Sequence, residues 1–388
     1  MNPLSATGAG ERVVLTGATG FLGQQILSLL LERHPQARLV LLLRAAAGQS
    51  AAQRLDALLE QCCGAENRVA ARQRIEIFEA DTAAQRCGLS ERDWTAAADG
   101  STRVIHTAAS VRFDMTLAEA RRVNVGGVRN LLALAQEAGR RGSLRSFADV
   151  STAYVAGERS GLIREDELEA GQRFRNTYER SKCEAEALVR ARGADLPAII
   201  LRPSIVVGDS RTGVTTSFNT IYWPLRAYAQ GRWRLAPARP ETVVDMVPVE
   251  FVARAVVHLA WDHRAVGQCF HLCAGPSRSA TIGEIAECAA RFFQVPPPRF
   301  VNPALFLAVL RPLLMVALWG RRRRLLRAGR FYRPYFDMAL QFDTSRADAL
   351  LEPAGIRPPR VMEYLERLFA FCLESDWGRL TPDRAAMP

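Results

Sequence analysis

Short apolar runs alternate, along the first half of the chain, with longer stretches in which Leu and Ala recur every three to four residues. The runs predict strands at Arg12–Thr16, Arg38–Arg44, Ile75–Ala80, Arg103–Thr107, Ser146–Ser151 and Ala198–Arg202. The periodic stretches predict helices at Leu22–Arg33, Ala51–Gln61, Leu117–Ala138 and Tyr178–Arg192. Strand and helix in regular alternation imply a doubly wound parallel α/β sheet. From Gly208 to Asp245 the rhythm is lost among prolines, Trp223 and Trp233, and a helix at Glu250–Trp261 and a strand at Cys269–Cys273 then restore it. Beyond Gly275 the pattern is helical and punctuated by proline. The expected organisation is a nucleotide-binding domain over 1–274, with an insertion at about 208–244 that joins the substrate lobe. A smaller, mostly helical carboxy-terminal lobe follows over 275–388.

Composition changes this picture in two places. The chain has 388 residues, 48% of them hydrophobic and 23% charged, and a net charge of +11, which excludes collagen-like, disordered and multi-span membrane classes. Of its 51 basic residues 50 are arginine, and Lys182 is the only lysine. The charge is also local, because Cys288–Phe336 holds ten arginines and no Asp or Glu. Such a segment suits nucleic acid, an anionic membrane surface or an acidic carrier. No recognition motif accompanies it, so no nucleic acid is expected. The apolar run Ala304–Trp319 is broken by Arg311-Pro312 and is too short to span a bilayer. The eight cysteines lack metal-ligand spacing, no metal is expected, and the amino terminus lacks a signal-peptide core. A cytoplasmic setting follows, with the arginine-rich segment as the candidate for peripheral contact with the inner face of the membrane.

Candidate chemistry begins after the first strand, at Thr16-Gly-Ala-Thr-Gly-Phe-Leu-Gly23. Glycine there allows a tight turn and close approach of backbone N–H groups to a pyrophosphate at a helix start. Gly17, Thr19, Gly20, Phe21, Leu22 and Gly23 are therefore expected to cradle a dinucleotide on a Rossmann fold. The second strand ends in Arg44 where an NAD site carries an acidic residue, and a guanidinium there suits a 2′-phosphate. NADPH is the expected cofactor. Arg54 is either a second phosphate contact or a solvated helix arginine. Asp81, followed by Thr82, either accepts from the adenine amino group or caps a helix.

Tyr178 and Lys182 stand four apart at the start of a helix and so share a face. A nearby ammonium favours the ionised phenol and is expected to lower its pKa. A chain that otherwise uses arginine throughout keeps lysine here, and a compact ammonium is not interchangeable with a guanidinium. Upstream, Ser151 and Thr152 close the fifth strand, where hydroxyls reach the cleft of a doubly wound sheet.

Together these motifs resemble the extended short-chain dehydrogenase/reductases. Several finer features narrow the resemblance to the fatty acyl reductase, or male-sterility, and thioester-reductase branch. They are TGATGFLG, LLLR, VIHTAASVRF, RVNVGGVRNLL, VSTAYVAG, FRNTYERSKCEAE, LRPSIVVGDSRTG and VDMVPVEFVARA. The resemblance covers roughly residues 12–275. It implies Thr152, Tyr178 and Lys182 as catalytic residues, with Ser151 structural. It also implies Thr107, Ala108 and Ala109 beside the nicotinamide ribose, Asn124 at a helix kink behind Lys182, and Pro203, Ser204 and Ile205 along the nicotinamide. His106 is read as packing, since Tyr178 already supplies acid–base function.

The implied activity is NADPH-dependent reduction of a fatty acyl thioester, on CoA or an acyl-carrier protein, to the aldehyde and then the alcohol if a second hydride follows. The chain starts at its nucleotide fold, so the thioester is expected to arrive from outside. Val301–Trp319 is expected to wall an acyl tunnel or lie in a membrane interface, with Arg321–Arg324 and Arg327 facing phosphates. The alternative within the same superfamily is a hydroxyl or keto substrate, as in sugar-nucleotide epimerases, dehydratases or steroid-type dehydrogenases.

Overall fold

A computed structural model describes residues 10–380 apart from 47, 194, 232–233, 311 and 314–337. Seven strands form one parallel sheet: β1 (Arg12–Thr16), β2 (Arg38–Leu43), β3 (Ile75–Glu79), β4 (Arg103–His106), β5 (Ser146–Val150), β6 (Ala198–Pro203) and β7 (Cys269–Leu272). Their order in space is β7-β6-β5-β4-β1-β2-β3, with each neighbouring pair in parallel register. The order reverses between β1 and β4. Ligands of open α/β sheets bind at such a switch point, beyond the carboxyl ends of the strands. The strands read as continuous apolar runs because both faces are covered; Val13, Val14 and Leu15 are all fully buried.

The helices that matter here are α1 (Phe21–Arg33), α2 (Ala51–Cys62), α3 (Glu91–Ala98), α4 (Gly126–Arg140), α5 (Thr177–Ala191), α6 (Val249–Trp261), α7 (Ile282–Phe293) and α8 (Val361–Glu374). On α1 the buried positions Gly23, Ile26, Leu27 and Leu30 follow the helical period. They meet α2, α6 and one face of the sheet in a single core. The other face is covered by α3, α4 and α5, through residues such as Trp94, Leu131 and Val189.

The helix expected over Leu117–Ala138 is present but interrupted. A π-turn at Arg121–Val125 separates Leu117–Ala120 from α4. A third core gathers residues from 153–163, 205–246, 273–295 and 338–377, including Tyr222, Met246, Phe342 and Phe369. The segment after Gly275, expected as a smaller, mostly helical lobe, contributes to two cores. Leu340–Phe342 pairs in parallel with Gly161–Ile163, while Ala347, Leu351 and Ile356 pack beside α6 on the main sheet. Of the ten arginines in Cys288–Phe336, only Arg291 and Arg299 are described. Arg321–Arg324, Arg327 and most of the run to Trp319 lie outside the described residues. Among the described residues no helix is long and apolar enough to cross a membrane.

Candidate active site

At the end of β1 the chain turns at Gly17, whose φ is +74°. A Cβ there would lie 2.5 Å from Thr107 Oγ1 and 2.8 Å from the Ala108 nitrogen. Gly20 N donates to the Gly17 carbonyl (2.8 Å), and a Cβ on Gly23 would fall on that same carbonyl. Helix α1 starts from Gly20 with no side-chain cap. No side chain therefore competes for the amides of its first turn, which carry the positive end of the helix dipole. The loop after β4 is tied to this turn: Thr107 Oγ1 donates to the Thr16 carbonyl (2.7 Å) and Ala108 N to Thr16 Oγ1 (3.3 Å). A cradle of this kind, which any Cβ would fill, fits the pyrophosphate of a dinucleotide.

Beside it, Arg44 is exposed just past β2. Arg54, on α2, donates to the Arg44 carbonyl and, at 2.9 Å, to Thr19 Oγ1. Its guanidinium thus lies over the glycine turn instead of trailing into solvent. Asp81 serves a turn: its Oδ1 accepts from Ala83 N (3.1 Å). The neighbouring Thr82 carbonyl accepts from Asn130 Nδ2 (2.8 Å).

The catalytic candidates converge from β5 and α5. Asn176 caps α5 by accepting from Glu179 N (2.9 Å), and the buried pair Arg175–Glu179 holds the approach to the helix. This places Tyr178 in the first turn, half-buried, with its ring centre 6.0 Å from that of Phe113. Its hydroxyl is hydrogen-bonded to Thr152. Burial pushes the phenol up to about 12; the Thr152 bond works against this, and the Glu179 charge adds to it. The lowering expected from Lys182 does not control the phenol in this structure. Lys182 is buried and its Nζ donates to the Val150 carbonyl (2.8 Å), while desolvation at Tyr178 outweighs the other influences.

Ser151 has a structural task, as expected. Its hydroxyl donates to Glu186 Oε2 (2.8 Å), and Glu186 is held by Arg202 through two hydrogen bonds of 2.9 and 2.6 Å in a fully buried pair. Asn124 sits in the π-turn. Its Oδ1 accepts from Ser110 N (2.8 Å), and its Nδ2 donates to the Ser110 carbonyl (3.2 Å) and Ser181 Oγ (2.9 Å). It therefore fastens the loop after β4 to α5, one residue from Lys182. His106 Nδ1 lies 2.7 Å from Thr16 Oγ1. Burial first, and then the Lys182 charge, press its pKa down to about 3. It is neutral and packed, in agreement with the reading from sequence.

Most of the catalytic candidates border one cleft of about 330 Å³ at the switch point. Its wall includes Gly17, Gly20, Phe21, Leu22, Gly23, Thr107, Ala109, Thr152, Tyr178, Lys182, Pro203, Ser204 and Ile205. Thr19, Arg44, Arg54, Asp81, Thr82, Ala108 and Asn124 are not on that wall. They stand beside or behind it. Sequence reasoning missed Val111, Phe113, Tyr154, Ser217, Asn219 and Thr220, which also line it. Phe113 and Tyr154 belong to the motifs VIHTAASVRF and VSTAYVAG, but nothing in their spacing marks them as cleft residues.

Ile205 and Thr220 also border a second cavity, of about 150 Å³, between the 220–246 segment and α7. It is lined by Leu225, Tyr228, Leu235, Val244, Met246, Ile282, Ile285, Ala286, Ala289 and Met338, among other almost wholly apolar groups. Thr220, at the junction, has a φ of +51°, a conformation β-branched residues seldom adopt.

Comparison with known proteins agrees with this architecture. Residues 15–256 match the family described as male sterility protein. Fatty acyl-CoA reductase 1 of Rattus norvegicus is 30% identical over 284 residues, which are 65% of this chain and 55% of that protein. A fatty acyl-CoA reductase of Drosophila melanogaster is 27% identical over 292 residues, 67% of this chain and 56% of its own. The chain thus spans about half the length of these relatives. Among solved structures, the terminal R domain of the myxalamid PKS-NRPS pathway superposes with a TM-score of 0.81 at 26% identity, covering 96% of this chain and 92% of that one. The UDP-glucuronic acid 4-epimerase of Bacillus cereus shares the fold at a TM-score of 0.65 and 16% identity, over 96% and 99% of the two chains. The family match takes in the glycine turn, both hydroxyl residues and the lone lysine, and it extends over more than half of the sequence. On that ground the chain belongs to the male sterility protein family.

Proposed function

We propose that this protein is an NADPH-dependent reductase of fatty acyl thioesters, working through Thr152, Tyr178 and Lys182. The observation that carries the reading is the pair Ile205 and Thr220, which line both the cleft that bears Thr152, Tyr178 and Lys182 and the neighbouring apolar cavity. A sugar nucleotide would leave such a cavity unfilled, whereas an unsubstituted alkyl chain gains about 0.8 kcal/mol for each methylene it buries there. The curated relatives named above are fatty acyl-CoA reductases, in keeping with this substrate class.

The glycine turn and the first turn of α1 would hold the pyrophosphate, Lys182 the nicotinamide ribose, and Pro203–Ile205 the flank of the nicotinamide. Arg44, with Arg54 beside it, supports the 2′-phosphate form, since no carboxylate stands at the end of β2 to meet a ribose hydroxyl. When bound, the cofactor supplies hydride. The chain's own contribution is to the oxygen. Thr152 and Tyr178 donate hydrogen bonds to the thioester carbonyl as negative charge grows on it, and Tyr178 then yields its proton there. Lys182 holds positive charge close by. Collapse of the resulting hemithioacetal releases thiol and aldehyde; a second round would give the alcohol. CoA and an acyl-carrier protein are both compatible donors, because only the acyl chain enters the apolar cavity.

Purified protein with palmitoyl-CoA and either NADPH or NADH tests this directly. Aldehyde or alcohol with release of free thiol is expected, with NADPH preferred. No nicotinamide-dependent product across a panel of acyl-CoA and carrier-bound chains refutes the thioester reading. Peripheral contact with an anionic membrane through 288–336 belongs to the same proposal. It is supported by Leu305, Val309 and Leu313, 56%, 46% and 62% exposed, in a segment without acidic residues. Salt-sensitive sedimentation with phosphatidylserine vesicles is expected, and no binding at low salt would rule it out.

A further inference from the structure

The mechanism above does not use Asp149. This residue of β5 is completely buried, and neither carboxylate oxygen has a hydrogen-bond partner among the described residues. Side chains alternate along a strand, so Asp149 and Ser151 share a face. That face lies under α5, because Ser151 bonds Glu186. Lys182 stands one turn before Glu186 on the same helix and reaches the carbonyl of Val150, the residue next to Asp149.

Besides the Asp149 oxygens, His106 Nε2 is also buried without a partner among the described residues. His106, the register neighbour of Asp149 on β4, is neutral and held by Thr16. Arg202 from β6 and Arg190 from α5 both pair with Glu186. Among the described residues the two opposite charges on this face with no salt-bridge partner are Lys182 and Asp149, and Lys182 acts on the Asp149 carboxyl through its charge.

We propose that Asp149 is the counter-charge that keeps Lys182 an ammonium in its buried pocket, a positioning residue that acts on the reaction only through that lysine. An ammonium taken out of water without a compensating charge gives up its proton more readily. Burial raises the Asp149 carboxyl to about 6, with the Lys182 charge drawing it down and Glu186 pushing it up. Asp149 is thus ionised at neutral pH and opposes the desolvation of Lys182.

The consequence for catalysis rests on the role assigned to Lys182 above, but the charge pairing can be tested without it. Lys182 is the only lysine in the sequence, so protein labelled with ¹³C,¹⁵N-lysine gives one side-chain signal to titrate. In Asp149→Asn the Lys182 midpoint should fall by at least about one pH unit, a tenfold change in its proton affinity. Asp149→Glu should restore most of it. The alkaline limb of the kcat/KM profile should move in the same direction, which a merely structural loss of activity would not do. An unchanged midpoint in Asp149→Asn, or a profile that superposes on the wild type after scaling, overturns the proposal. Should that variant fail to fold, the wild-type signal decides alone: it should show a step near pH 6 as Asp149 titrates, and a flat response there refutes the pairing. Lys182→Met separates the two ideas, since normal turnover in that variant defeats the catalytic reading and leaves the titration result standing.

Discussion

Ala286 faces the apolar cavity from α7 and is half-buried, so a larger side chain there projects into the cavity without displacing the packed core of the helix. Replacing it with phenylalanine adds a six-carbon ring to that space. If the ring excludes about four methylenes of a long acyl chain, the lost burial at ~0.8 kcal/mol each comes to about 3 kcal/mol. Expressed in kcat/KM, that is a loss of about 200-fold for palmitoyl-CoA. Octanoyl-CoA, which does not need the full depth, should lose less than about threefold. The assay is the initial rate of NADPH oxidation against substrate concentration for a series of chain lengths, with far-ultraviolet circular dichroism to check the fold. Equal losses at all lengths would mean that the substitution disturbs the cleft and not the tail site. No loss at any length would mean that the acyl chain lies elsewhere.

Tyr178→Phe should lower kcat by about 10²- to 10⁴-fold while NADPH binding, followed by fluorescence, changes little. Gly23→Ala places a methyl group on the Gly17 carbonyl and should abolish measurable NADPH binding in calorimetry; wild-type affinity would disprove the cradle. Arg202→Met leaves Glu186 buried with only part of its support and should cost about 3–5 kcal/mol in urea unfolding, whereas a change below about 1 kcal/mol would contradict the assigned pairing. The folded-state pKa of Asp149 lies above its ordinary value of 3.8, at about 6. The folded protein therefore binds the extra proton, and this residue's contribution to stability is lost as pH rises from about 4 to about 6. The wild type should lose about 3 kcal/mol relative to Asp149→Asn over that window, and parallel stability curves would refute this sign.

The nucleotide half of the molecule could be read from the sequence because its signals are local. A strand, three glycines and an apolar helix are adjacent in the chain, and Tyr178 and Lys182 lie on one turn of one helix. The strand end offered Ser151 and Thr152 alike, and only the resemblance singled out Thr152. The apolar cavity had no such signature, since Ile205, Leu225, Leu235, Ile282 and Met338 come from distant segments and none is unusual in its own surroundings. Asp149 was hidden for a related reason: in Phe-Ala-Asp-Val it reads as a strand residue, and only tertiary packing shows what it faces. The sequence reading of Tyr178 accounted for the nearby lysine but not for desolvation, which burial alone supplies. The acyl wall expected at Val301–Trp319 drew attention to the most conspicuous hydrophobic run. Most of that run lies outside the described residues, and the cavity seen among the described ones is built mainly from the 220–246 segment and α7.

Ile205 belongs to both cavities and follows Pro203 and Ser204 directly, so under the proposed function the nicotinamide flank and one wall of the tail pocket are two residues apart on one stretch of backbone. A substitution that widens the pocket at that end also moves the wall beside the nicotinamide. The far wall, on α7, has no such tie. Divergence of chain-length preference, whether by natural drift or by engineering, should therefore accumulate around Ile282, Ile285, Ala286 and Ala289 and leave the 203–205 stretch unchanged.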